Sequence, residues 1–181
     1  MKNLVKVVLF LAVLCLALRV ALAADPGPDS ATCDVTVTVN SILEWSDASY
    51  TDIALIPPIT ATTQTPSGSR DFTLYTNCNC EISADITAAA QLENEGASTD
   101  TLVTKYQLAY DGDGFSDTGG TDVGGWTDYS TFLSPASAVT HVDGDGAVVV
   151  TLSAQASTSG NVPDAGDYRA TQTLTAAWTS D

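Results

Sequence analysis

Cys80-Glu-Ile-Ser-Ala-Asp-Ile-Thr87 sets an apolar side chain at every second position: Cys80, Ile82, Ala84 and Ile86 on one side, Glu81, Ser83, Asp85 and Thr87 on the other. Successive side chains of a strand point to opposite faces, so this rhythm describes a strand with one face buried and one wet. Upstream, Cys33-Asp-Val-Thr-Val-Thr-Val39 sets Cys33, Val35, Val37 and Val39 against Asp34, Thr36 and Thr38, and Asp71 to Thr76 puts Phe72 with Leu74. Downstream, Leu102 to Tyr110 aligns Leu102, Tyr106, Leu108 and Tyr110, and Ala147 to Ala154 aligns Val148, Val150, Leu152 and Ala154. A last run, Tyr168 to Trp178, aligns Tyr168, Ala170, Leu174, Ala176 and Trp178. Ile53 to Ile56 and Val139 to Val142 are shorter candidates. No segment repeats its apolar residues at helical spacing. The connections carry Gly, Pro, Ser and Asp, as turns require. Ser116 to Trp126 and Ser157 to Asp164 read as mobile loops. About seven to nine strands with these turn signals predict an all-β, immunoglobulin-like β-sandwich.

The N-terminus reads as an export signal. Lys2 and Lys6 precede twelve apolar residues, Val7 to Leu18, and Ala21-Leu22-Ala23 supplies small residues for cleavage after Ala23. A membrane-spanning helix needs about 20 apolar residues, more than lie between Lys6 and Arg19. Leu14 before Cys15 argues against a lipid-modified cysteine. The expected organisation is a signal peptide at 1–23, a flexible Pro-containing arm at 24–31, and one domain at 32–181 with no membrane span after cleavage. The expected location is outside the cell or on its surface, reached by Sec-type export.

Charge narrows the partners. Removing 1–23 takes away Lys2, Lys6 and Arg19 and no acid, leaving Arg70, Lys105 and Arg169 against 22 carboxylates, near −19. Such a surface repels phosphate backbones and anionic lipid, which disfavours nucleic acid and membrane surfaces as partners. It favours solubility, cation binding and tolerance of salt. Three cysteines remain: Cys33, Cys78 and Cys80. A bridge from Cys33 to either Cys78 or Cys80 closes a loop of about 45 residues, worth up to about 4 kcal/mol in the chain-entropy model. The other thiol is left over. With no C-x-x-C and only the distant His141, these thiols lack zinc-site spacing.

Asp111-Gly-Asp-Gly-Phe-Ser-Asp117, with Asp122 beyond it, is the candidate metal site. Oxygen ligands on a Gly-rich loop suit Ca²⁺, so Asp111, Asp113, Asp117 and Asp122 are its candidate ligands. Phe115 at the third ligand position, and the lack of Glu at the twelfth, separate the loop from an EF-hand. Asp-Gly is also a favoured hairpin turn, the competing reading here and the preferred one for Asp143-Gly-Asp-Gly146. Trp126, Tyr129 and Phe132, with Trp45 and Tyr50, suit either sugar stacking or a small satellite core. Catalysis has no support: His141 stands in an apolar run, and G-x-S-x-G, H-E-x-x-H and a phosphate-cradling loop are absent. The expectation is a protein that is not an enzyme and holds no organic cofactor.

Asp164-Ala-Gly-Asp-Tyr168 resembles the tyrosine corner of Greek-key sandwiches, which gives Asp164, Gly166 and Tyr168 a structural role. In such folds this Tyr opens the penultimate strand. Here the strand that Tyr168 opens is itself the last, which predicts a groove of unpaired N–H and C=O groups beside apolar core, to be covered by the protein's own arm or by a neighbour's strand. Cys33-Asp-Val-Thr-Val-Thr-Val and Tyr75-Thr-Asn-Cys-Asn-Cys-Glu-Ile-Ser-Ala-Asp, with the final strand carrying Gly166 and Tyr168, match in order and spacing a known pattern. They resemble the pilin-like domains of chaperone–usher fimbriae and the related spore coat protein U type of secreted domain. The extra cysteine and the position of Trp178 depart from that pattern. The resemblance implies a pilin-like sandwich, a disulfide from Cys33, and assembly by donating an N-terminal strand to a neighbour's groove. It therefore implies a structural or adhesive surface protein whose partner is another copy or another surface protein. A calcium- or carbohydrate-binding module is the alternative.

Overall fold

A computed structural model describes residues 30–46, 52–110, 121–141, 146–158, 160 and 162–180. The chain forms two compact units, Met1–Val39 and Asn40–Asp181. Among the described residues the second unit holds ten strands: β1 Leu43–Trp45, β2 Ser67–Thr76, β3 Asn79–Ala84, β4 Glu93–Asn94, β5 Val103–Tyr110, β6 Thr121–Asp128, β7 Ser137–Val139, β8 Ala147–Ser157, β9 Tyr168–Arg169 and β10 Leu174–Ser180. They make a five-stranded sheet ordered β1-β2-β8-β5-β6, a three-stranded sheet ordered β10-β3-β7, and a small β4-β9 pair, all antiparallel.

Two-residue alternation builds the core between the larger sheets. β2 contributes Phe72 and Leu74, β5 Tyr106, Leu108 and Tyr110, and β8 Val148, Val150, Leu152 and Ala154. From the opposite layer come Cys80 and Ile82 of β3 and Val139 of β7, with Leu174 and Ala176 of β10 partly buried against them. Each fully buried Leu, Ile or Val contributes about 1.5–3 kcal/mol of hydrophobic stabilisation. The Tyr110 hydroxyl crosses between layers, donating to the Ala138 carbonyl and lying 2.8 Å from Ser137 Oγ. The fold is an all-β sandwich.

Several expectations need correction. Cys33–Val39 is not a strand: every described residue from 30 to 39 is exposed, with Val35 at 91%, Val37 at 88% and Val39 at 69%. Alternation encodes a face able to be buried, not the surface that buries it. Strand β3 ends at Ala84, so Ile86 is exposed. There, Asp85 Oδ1 accepts from the Thr87 N–H at 2.8 Å and turns the chain. The run from Tyr168 to Trp178 divides into β9 and β10, which join different sheets. The segment read as the loop Ser116 to Trp126 becomes strand from Thr121 onward, paired with β5. Asp143 and Asp145 lie outside the described residues; the strands on either side, β7 and β8, belong to different sheets. Gly146 has φ +70°, and a Cβ there would meet the Thr76 carbonyl oxygen at 2.7 Å. Only glycine fits so close an approach at positive φ.

Candidate functional site: an open groove beside β10

Strand β10 is an edge. It pairs with β3 from Leu174↔Ala84 to Trp178↔Cys80, and among the described residues no strand lies on its other side. The Asp85 N–H donates to the Thr173 carbonyl at 2.9 Å, so by antiparallel alternation Leu174 and Ala176 direct their backbone groups away from β3. The ladder is prolonged by a side chain. The Gln172 carboxamide accepts from Asp85 N–H at 3.0 Å and donates to the Asp85 carbonyl at 3.1 Å, copying a backbone rung.

At the start of this edge, beside Leu174 and the segment leading into β10, lies a groove of about 600 Å³. One wall is Trp45 of β1, Phe72 of β2, and Leu152 and Ala154 of β8, together with Ile53 and Leu55. The facing wall is Thr171–Leu174, and Leu92, Thr104 and Tyr106 line the groove deeper in. Among the described residues, the segment carrying Ile53 and Leu55 pairs with the sheet at the Ile56↔Ser67 bridge. Its close approach depends on Gly68, where any Cβ would collide with the Ala54 carbonyl oxygen. Core side chains thus line a surface cleft instead of closing over it. Trp178 shares the inward parity of Leu174 and Ala176, yet is 55% exposed.

The floor is packed and uncharged at Tyr106. Tyr106 packs against Phe132 with ring centroids 5.5 Å apart, and its hydroxyl donates to the Ala90 carbonyl at 2.8 Å. Burial pushes that hydroxyl up to about 12, and Asp85 adds to the shift. At the rim Arg169 Nε meets Glu95 Oε1 at 3.1 Å, both side chains being half-exposed or more, so the pair adds little to stability.

The residues singled out from sequence fall in different places. Cys33 is an exposed free thiol, while Cys78 and Cys80 are buried free thiols, so the bridge from Cys33 is not formed in this structure. Cys78 Sγ donates to the Ile42 carbonyl at 3.5 Å. Burial pushes the Cys80 thiol up to about 11, with Cys78 adding to it. The Tyr168 hydroxyl donates to the Asp164 carbonyl at 2.8 Å, four residues upstream. Gly166 lies where a Cβ would press on the Asn94 amide nitrogen at 2.9 Å. Asp164 and Gly166 line a second, polar pocket with Asn94, Glu95 and Ser98. Asp111, Asp113 and Asp117 lie outside the described residues, and Asp122 is placed only as a backbone position on β6. Among the described residues no cluster of three His, Cys, Asp or Glu side chains suits a metal, and no helix is long and apolar enough to cross a membrane. Of the aromatics, Phe132 joins the main core, Tyr129 packs against it, and Trp126 stays partly exposed. The open edge at the last strand was expected from the sequence; the residues lining the groove were not, because Phe72, Tyr106 and Leu152 read as ordinary core residues.

No protein-family model matches the chain, and no curated protein matches it. Among solved structures it is similar to a chain from a study of a chaperone–tip adhesin complex described as vital for synergistic activation of CFA/I fimbriae biogenesis. The identity is 17% and the TM-score 0.40, over 76% of this chain and 42% of that one. So distant a likeness carries no argument, and function must be read from the groove itself.

Proposed function

We propose that the protein is a non-catalytic structural subunit of an extracellular or surface assembly, and that copies join by strand addition. The groove beside β10 carries this reading. It lies against Leu174, whose backbone faces away from β3, and is lined by apolar core side chains, the two things a docking strand needs. Its occupant is the segment through Val39 of a second copy. Val35, Val37 and Val39 recur every second residue and are exposed, so one face of that segment is free to enter the groove while Asp34, Thr36 and Thr38 stay in solvent. The resemblance to pilin-like domains, read from the sequence, agrees with this.

The test is Val37→Asp. The side chain is exposed, so folding stability changes by no more than about 0.5 kcal/mol. Docking would bury the new carboxylate without a partner, which opposes assembly strongly. Size-exclusion chromatography and electron microscopy of the exported chain are expected to show assemblies for the parent and monomers for Val37→Asp. Monomers from both proteins, or assembly unaffected by the substitution, would overturn the reading.

A further inference from the structure

We infer that assembly at this groove is gated by ionic strength, with the chain's own acidic charge as the lock; the inference rests on the strand-addition reading. The sequence carries 22 carboxylates and six Lys and Arg, a formal charge of −16, and three of the six cations lie in residues 1–23. Among the described residues the cations are Arg70, Lys105 and Arg169. Arg169, which lines the groove, is already engaged by Glu95 at 3.1 Å. Asp52 and Glu95 also line the groove, and the incoming segment brings Asp34. Along the neighbouring strands Glu81 and Glu93 are exposed, opposite Ala177 and Arg169 in the pairing. A docking strand therefore meets carboxylates and no uncommitted cation, while the two whole molecules repel each other.

That repulsion acts over the screening length, about 30 Å at 0.01 M salt and about 3 Å at 1 M. At low salt it spans a molecule; at high salt it is confined to direct neighbours. The groove contacts are apolar and backbone in character, so they survive screening. Association between like-charged copies is expected to accelerate by about tenfold or more across that range, the mirror image of the rate gains that attractive fields give. Attraction between opposite charges would weaken with salt instead.

Light scattering of the exported full-length chain, from about 0.01 to 1 M NaCl, measures the salt midpoint of assembly. Salt also strengthens apolar burial, so a second protein is needed. Glu44→Gln/Glu81→Gln/Glu93→Gln changes three exposed residues outside the groove lining and leaves the apolar surfaces alone. Repulsion scales with the product of the charges, so it falls by about a third. The expected result is slow assembly at low salt, fast assembly at high salt, and a lower midpoint for the triple variant, with circular dichroism confirming both are folded. A midpoint unmoved by the substitutions would assign the salt effect to apolar burial and overturn the gate. Equal assembly at every salt concentration would overturn it too while leaving strand addition standing. A parent chain monomeric throughout would remove both.

Discussion

Tyr106 and Cys80 are held neutral by the fold, and stability must carry that preference as a pH dependence. Burial raises Tyr106 to about 12 and Cys80 to about 11, from the ordinary 10.0 and 9.0 of these groups. Both are acids whose protonated form the folded state favours. The stability each lends is whole below its unfolded pKa and is lost as pH rises through its folded value. Tm is therefore expected to be level up to about pH 9 and to fall above it. Cys80→Ala removes the earlier part of that fall; an unchanged profile would show that the thiol contributes nothing. Tyr106→Phe leaves the Ala90 carbonyl without its donor, a cost of about 1–3 kcal/mol readable by urea unfolding. The thiols also divide by exposure: a maleimide is expected to label Cys33 at once in the native protein, and Cys78 and Cys80 only after unfolding.

At the level of elements, legibility followed whether a signal was local. The parity of Cys80 and Ile82, or of Leu108 and Tyr110, is written in neighbouring residues and matches the buried face of β3 and β5. Strands β1 and β4 have three and two residues, too few for a rhythm. Strand β6, T-D-V-G-G-W-T-D, carries two adjacent glycines and reads as a loop; its pairing with β5 makes it a strand. That the last strand would leave an open edge beside apolar core was legible from its lack of a hairpin partner; which residues line the groove was not, because Phe72, Tyr106 and Leu152 read as ordinary core. At Ala176, whose backbone faces the open edge, proline is compatible with an edge strand. Ala176→Pro is expected to keep the fold and abolish assembly, checked by circular dichroism alongside size-exclusion chromatography. Assembly surviving the substitution would place the docking edge elsewhere.

For the molecule as a whole, the sandwich is stable around a core that is open on one side, and its tryptophans report on that opening. Trp45 lines the groove and Trp178 stands half-exposed on the inward side of β10. Strand addition is expected to shift tryptophan emission to the blue in step with assembly, and an unshifted spectrum in assembled material would argue for another interface. The valine segment and the cleft are also different surfaces of one chain, so the proposed strand addition would join two copies heterologously, not as a two-fold handshake. Unless the rotation closes into a ring, such joining has no natural stopping length: each growing fibre keeps one vacant cleft at one tip and one unspent segment at the other. A synthetic peptide spanning 33–39 would then compete for every vacant cleft, on free subunits as well as at the fibre tip, and would shorten fibres in proportion to the clefts it fills.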